Sequence, residues 1–343
     1  MKILVGMSGG LDSTFAAKLL IEEGHTVEGA VLKMHEYTEC DEAVAAAESL
    51  GIPCHTVDCT KEFELIRDYF VNEYSRARTP NPCILCNREV KFKVLADYAK
   101  AHGFDRIATG HYADVVKVAD GADTRYAIKM GKDKRKDQSY MLYGLGEDVL
   151  SILILPLASL EKSNIRIEAE RANMPVANRK ESLDICFLPN GDYASYIENR
   201  LGKTFPEGDF VDNDGNLLGR HKGIIRYTIG QRKGLGVALG DRAYVTDIDP
   251  EKNTVTLSKE GSLADKISVS EVIYSGMKPP KERVEKRLLV KYRYHSPLCE
   301  ADCVFFSDGR AEVALSTPQR AVSRGQSCVF YDGDVVVAGG IID

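Results

Sequence analysis

The sequence predicts an α/β amino-terminal domain built on a parallel sheet, followed by small β-rich central and C-terminal domains, the last barrel-like. Three observations carry that expectation. Strand and helix patterns alternate through the first 110 residues. A glycine-rich turn lies between the first strand and the first helix. Beyond residue 205 the chain becomes short β-prone runs separated by turns such as Asp214-Gly215, Asp249-Pro250, Asp308-Gly309 and Asp332-Gly333.

Ile3, Leu4 and Val5 make a short buried strand, and Asp12 to Glu23 places Phe15, Leu19 and Leu20 at helical spacing before Gly24 ends the helix. Val27 to Leu32 is a second strand, Glu42 to Leu50 a helix stopped by Gly51, and His55 to Asp58 a third strand. Longer helices are expected over Lys61–Ala77 and Pro82–His102, then a strand at Arg106–Thr109. Tyr112–Val118 and Arg125–Met130 read as a hairpin, and Leu160–Ala172 as a helix capped by Ser159. The expected division is 1–195, 196–270 and 271–343.

Composition narrows the class. The chain is 44% hydrophobic and 28% charged, which excludes disordered and fibrous proteins. A net charge of −6, from 45 Lys+Arg against 51 Asp+Glu, excludes an indiscriminate polyanion binder but not a local basic surface. The apolar run in MKILVGMSGG is too short for a signal-peptide core, and Ser151–Leu157 falls short of the ~20 residues that span a bilayer. Nine cysteines in such a chain read as reduced thiols, and the expected location is cytoplasmic.

The turn Gly6-Met7-Ser8-Gly9-Gly10-Leu11-Asp12-Ser13 is the first chemical signal. Gly9 and Gly10 let backbone N–H groups approach an anion at a helix N-terminus. Ser8 and Ser13 add hydroxyl donors, and Asp12 can hold a metal that bridges phosphates. The Gly-Lys-Ser/Thr ending of a Walker loop is missing, and the glycine spacing is not that of a dinucleotide fingerprint. SGGLDS resembles the loop of the ATP pyrophosphatases, whose catalytic domain has the adenine-nucleotide alpha-hydrolase-like fold. Members cleave ATP to AMP and pyrophosphate and adenylate a carbonyl-type oxygen. The resemblance implies ATP and Mg2+ but leaves the acceptor open.

The cysteines narrow the acceptor. In Thr79-Pro80-Asn81-Pro82-Cys83-Ile84-Leu85-Cys86-Asn87, Asn81 is a favoured N-cap and Pro82 suits the first helical position. Cys83 and Cys86 then share one face of the first turn, where the helix dipole lowers thiol pKa; Arg88 and Lys91 add to the effect. A C-x-x-C pair is also half a zinc site, but no second pair occurs at zinc spacing. Cys186, in SLDICF, is a third thiol; alone it reads as a core cysteine.

With TPNPCILCNREVKF at 79–92, TGHYA at 109–113, KDQSYML at 136–142, SLDICF at 182–187 and YTIGQRKGLG at 227–236, the chain resembles the tRNA 2-thiouridylases from end to end. The resemblance implies ATP-dependent 2-thiolation of the wobble uridine in tRNA anticodons. Cys86 matches the nucleophile and Cys186 the persulfide carrier. Ser8 to Ser13, with Leu32 and Gly110, match nucleotide-contacting positions. Asn81, Pro82 and Cys83 lie where the base is approached, and His111, Lys136, Asp137, Gln138, Arg293, Tyr294 and Gln326 match tRNA-contacting places. The sulfur donor would be a cysteine desulfurase, a relay protein or inorganic sulfide.

The chain departs from the common pattern at Cys83, where many relatives carry an acidic residue. Cys83, Cys86 and Cys186 could together hold a 4Fe-4S cluster that binds hydrosulfide, so both sulfur routes stay open. Basic strips suit tRNA. One holds Lys129, Lys132, Lys134, Arg135 and Lys136; a second holds Arg220, Lys222, Arg226, Arg232 and Lys233. A third interleaves Arg283, Lys286, Arg287, Lys291 and Arg293 with Tyr292 and Tyr294.

Overall fold

The computed structural model describes residues 1–121, 123–177, 179, 185–188, 190–237 and 242–343. The chain opens with β1 (Lys2–Gly6), α1 (Leu11–Glu22), β2 (Thr26–Lys33), α2 (Cys40–Ser49), β3 (Cys54–Asp58) and α3 (Thr60–Ser75). A single run extends from Pro82 to Ala101: α4 (Pro82–Cys86), a π-helical turn over Asn87–Lys91, and α5 (Phe92–Ala101). β4 (Arg106–Ala108), a hairpin of β5 (Ala113–Asp120) and β6 (Asp123–Met130), α6 (Glu147–Leu150), β7 (Leu153–Ile154) and α7 (Lys162–Arg171) come next.

The parallel sheet has the order β3-β2-β1-β4-β7. Central β1 is wholly buried at Ile3, Leu4 and Val5, with Ile3 and Val5 in one core cluster and Leu4 in the opposite one. That two-sided burial is why the strand reads as a continuous apolar run rather than an alternation. Strand order reverses between β1 and β4, so their carboxyl ends flank the crevice where ligands bind in open α/β sheets.

The β-rich remainder agrees with expectation in class. After α8 (Tyr193–Leu201) comes a four-stranded sheet of β8 (Gly208–Val211), β9 (Leu217–His221), β10 (Tyr244–Asp249) and β11 (Thr254–Ser258). Six strands then form a closed barrel: β12 (Leu263–Tyr274), β13 (Val284–Lys291), β14 (Cys299–Phe305), β15 (Ala311–Arg320), β16 (Ser327–Asp332) and β17 (Val335–Ile342). Closure comes from β12, which pairs with β15 on one side and β17 on the other. The β5–β6 hairpin does not stay with its own domain. β6 meets β17 at Lys129–Val335 and extends the barrel's sheet outward.

Two expected caps are corrected. Ser159 does not cap α7; the helix begins at Lys162, whose N–H donates to Asp133 Oδ2 at 3.1 Å. A carboxylate from a distant loop thus supplies what the local serine was expected to supply. Asn81 does occupy the N-cap of α4, but its side chain makes no cap bond and donates instead toward Met141 Sδ at 3.6 Å.

Candidate active site

The glycine loop leaves β1 at the sheet's carboxyl edge and is held by its own hydroxyls. Ser8 N–H donates to Ser13 Oγ at 3.1 Å, and Thr14 Oγ1 donates to the Gly10 carbonyl at 2.8 Å. Gly9 has φ +72°, and a Cβ there would lie 2.9 Å from Ala43 N in α2. Gly110, just after β4, packs so closely on α1 that a Cβ would fall 2.5 Å from the Asp12 carbonyl carbon. Both glycines are therefore required by close backbone approach. The loop is wedged between two helices with α1's N-terminus facing the crevice, a geometry suited to an oligophosphate.

Asp12, though partly exposed, is held by two donors. Its Oδ1 accepts from Lys162 Nζ at 2.5 Å and from the Tyr112 hydroxyl at 2.6 Å. Arg179 donates to the Gly9 carbonyl at 2.9 Å and pairs with Glu39 and Glu42, bracing the other side of the loop. Sequence reasoning misses Lys162 and Arg179 because no local pattern marks either one. Tyr112 lies within a recognisable string, TGHYA, that gives it no role.

The thiols lie at the neighbouring carboxyl end of β2. Cys86 is 4% exposed, and its Sγ faces Met34 Sδ at 3.8 Å. Burial pushes its pKa up to about 12, with Lys91 opposing. The expectation of a dipole-lowered Cys86 thiolate is corrected: desolvation inside the protein outweighs the helix end. All nine cysteines are free, Cys83 and Cys186 being exposed as residues. Surrounding protein nonetheless desolvates the Cys186 thiol and raises its pKa, again against Lys91.

Lys91 is the common neighbour. Burial works against its ammonium, but Cys86, Cys83 and Cys186 outweigh burial and hold its pKa above the ordinary lysine value. The π turn explains the meeting. In a regular α-helix, position 91 would lie well round the cylinder from position 86; the wider turn brings the two toward one face. His111 completes this wall, its ring 5.5 Å from Phe92 and its Nδ1 2.8 Å from Thr109 Oγ1. Burial, with Lys91 second, drives its pKa down to about 3, so it is neutral at working pH.

Among the described residues, no group of three or more His, Cys, Asp or Glu side chains is placed to hold a metal ion. The three thiols thus share an electrostatic neighbour without forming the ligand set that a 4Fe-4S cluster needs, and the residues as placed do not fit it. Ser182, Leu183 and Asp184 of SLDICF lie outside the described residues.

The remaining expected positions divide. Leu32 packs into the core cluster that contains Cys86, and Pro82 is buried. Asp137 is also buried, accepting from Gly131 N at 2.9 Å and Ser139 Oγ at 2.7 Å; burial raises its pKa despite these bonds. Gln138 exchanges hydrogen bonds with the Tyr112 backbone, at 3.0 and 2.8 Å. KDQS therefore braces the floor under the crevice, while Lys136 stays partly exposed. Arg293 is exposed beside the Tyr292 ring, and Tyr294 meets the His295 ring edge-on at 4.6 Å. Gln326 donates its amide to the Thr79 carbonyl at 2.8 Å. Several basic-strip residues have acidic partners: Arg220 with Asp209, Arg226 with Glu198, Arg287 with Glu300. Lys222, Arg232 and Lys233 are exposed.

Comparison with known proteins covers the whole chain. A family model described as the tRNA methyl transferase HUP domain matches residues 1–190, the tRNA methyl transferase PRC-barrel domain matches 194–259, and the aminomethyltransferase beta-barrel domain matches 264–342. The tRNA-specific 2-thiouridylase MnmA of Acetivibrio thermocellus is 41% identical over 99% of this chain and 99% of its own. MnmA 1 of Clostridium botulinum, strain Loch Maree, is 42% identical over 100% of this chain and 99% of its own. A solved NMN synthetase from Francisella tularensis aligns with 59% of this chain and 72% of that one at 18% identity, with a TM-score of 0.34, too slight a likeness to carry an argument.

Proposed function

The chain belongs to the tRNA-specific 2-thiouridylase family, and on that premise we propose that it carries out ATP-dependent 2-thiolation of the wobble uridine of tRNA in the cytoplasm. One observation supports this above the others. The phosphate loop after β1 and the Lys91-centred thiols at the end of β2 share one edge of the sheet. ATP activation and sulfur chemistry then serve one bound base. The family models are named for methyl transfer, but clustered thiols beside an ATP-type loop suit sulfur transfer better.

In this reading Ser8, Gly9, Gly10, Leu11 and Ser13 hold the pyrophosphate end of ATP, flanked by Gly6, Met7, Leu32 and Gly110. Asp12, the acidic residue of the loop, offers the hard oxygen that would hold Mg2+, which offsets phosphate charge. The uridine O2 attacks the α-phosphorus and pyrophosphate leaves. The terminal sulfur of a Cys186 persulfide adds at C2, and the Cys86 thiolate then attacks the inner sulfur, Cys186 Sγ, leaving the terminal sulfur and its bonding electrons on C2. The S–S bond of the persulfide breaks, AMP departs with the original oxygen, and a Cys86–Cys186 disulfide remains for a cellular thiol to reduce. Because Cys86 is buried and protonated in this state, entry of the base must expose the thiol beside Lys91 before it reacts. Asn81, Pro82 and Cys83 border that entry. The first 195 residues do the chemistry, while 196–270 and 271–343 hold the tRNA.

The test is nucleoside mass spectrometry on tRNA from cells lacking the gene, complemented with wild type or Cys86→Ala. Wobble 2-thiouridine should vanish in the deletion and return only with wild type. Its persistence in a deletion strain without a redundant thiolase refutes the assignment. Full in vitro thiolation by rigorously iron-free protein, with persulfide as donor, is expected; an absolute iron requirement would overturn the persulfide route.

A further inference from the structure

Residues 321–326 of the barrel, between β15 and β16, touch both of the other parts of the molecule. Toward the central domain, Ser323 Oγ donates to the Ile229 carbonyl at 3.3 Å, and Gly230, with φ +84°, packs where a Cβ would fall 2.4 Å from Ala321 Cβ. Toward the catalytic domain, Thr79 is held by both backbone groups. Its N–H donates to the Arg324 carbonyl at 2.8 Å, and its carbonyl accepts the Gln326 amide at 2.8 Å. Gly325 lies between these bonds with φ +87°, and a Cβ there would come within 3.0 Å of Arg78 Cβ and Thr79 N. Arg78 adds a third tie, reaching the Ile342 carbonyl at 3.1 Å while paired with Glu73 at 2.8 Å.

The segment beyond Thr79 is stiff. Pro80 and Pro82 fix their own φ angles, and each confines the residue before it to extended backbone. Cys83 lies only about four positions along the chain from Thr79, a reach of at most about 14 Å. A displacement at Thr79 therefore arrives at the thiol turn with little slack. We propose that Gln326 is a positioning residue: together with Gly325 it clamps Thr79, so the β domains set the placement of the helix that carries Cys83 and Cys86. This deepens the thiolation reading and rests on it, since the resemblance alone assigns Gln326 to the tRNA.

The experiment uses the full chain with Gln326→Ala, Gln326→Glu and Gly325→Ala. The glutamate keeps the shape but cannot donate to the Thr79 carbonyl when ionised. Exchange of the Thr79 amide, followed by hydrogen–deuterium mass spectrometry without ATP or tRNA, should accelerate by about tenfold or more in each variant, with the melting temperature nearly unchanged in the two Gln326 variants and lowered in Gly325→Ala, whose new Cβ is strained at φ +87°. Single-turnover thiolation at saturating tRNA should fall by roughly tenfold to a hundredfold, with tRNA affinity held within about twofold. Unchanged Thr79 exchange, or weakened tRNA binding with a normal saturated rate, overturns the proposal. The exchange arm needs no thiolation, so it still judges the clamp if the wild-type enzyme proves to have another activity.

Discussion

Replacing Gly110 by alanine should separate the nucleotide site from the rest of the molecule. The new Cβ would lie 2.5 Å from the Asp12 carbonyl carbon and 2.6 Å from Ser13 N, both backbone atoms of the first turn of α1. Ordinary contact begins near 3.4 Å, so the helix start and the end of β4 must part by about 0.9 Å. Overpacking of this kind costs about 1–3 kcal/mol of stability. The same movement displaces the Ser8–Ser13 donors, and losing one good hydrogen bond to a charged phosphate is worth about 1.5–3 kcal/mol. ATP affinity should therefore fall by roughly 10- to 100-fold. Calorimetric ATP titration and ATP-dependent pyrophosphate release read this directly, with tRNA retention on filters as the control. Gly10→Ala is the comparison, because its Cβ would meet only Ser8 Oγ, at 3.4 Å. It should leave the melting temperature in place while blocking the approach of phosphate to the backbone. A Gly110→Ala protein that binds ATP within twofold of wild type would refute the reasoning.

Lys162→Met should weaken ATP-dependent adenylation and lower stability by about 1–2 kcal/mol, less than a fully buried pair would cost because Asp12 keeps some solvent; urea melts and pyrophosphate release check it. Iodoacetamide at pH 8 should label Cys83 well before Cys86, whose pKa near 12 leaves almost no thiolate; equal labelling rates by peptide mass spectrometry would remove the burial argument. His111 has its pKa lowered from 6.5 to about 3, so its contribution to stability is intact above pH 6.5 and is lost as pH falls toward 3. His111→Gln should flatten that part of an acid-denaturation curve; an unchanged acid limb would show that His111 is not desolvated.

The parts legible in the sequence are those set by local periodicity and local backbone requirements. β1 is readable from three buried apolar residues, the loop from its glycines, and the hairpin from two β-prone runs around a polar turn. The parts that escape are set by partners far along the chain. The carboxylate that caps α7 comes from Asp133, 29 residues away. Gln326 and Thr79 are 247 apart. Lys91 reads in the sequence only as an aid to the helix dipole, because helical spacing gives no warning of a π turn that swings it to the thiols. Nothing in the sequence around Asp137 and Gln138 shows that both answer backbone groups under the crevice. The pKa of Cys86 goes the other way from its sequence expectation for a related reason: the helix end is visible in sequence, and the packing of Met34 against it is not.

The hairpin that extends the barrel's sheet also bears on how the protein can be divided. β6 has β5 on one side and meets β17 through Lys129–Val335 on the other. A truncation before β12 would strip that neighbour and leave the end of β6 as a bare edge, with Ala127 and Ile128 losing the barrel that covers them. Such a fragment is an aggregation hazard rather than a minimal catalytic domain. The barrel and the nucleotide domain, distant in sequence, should accordingly melt and resist protease as one cooperative unit.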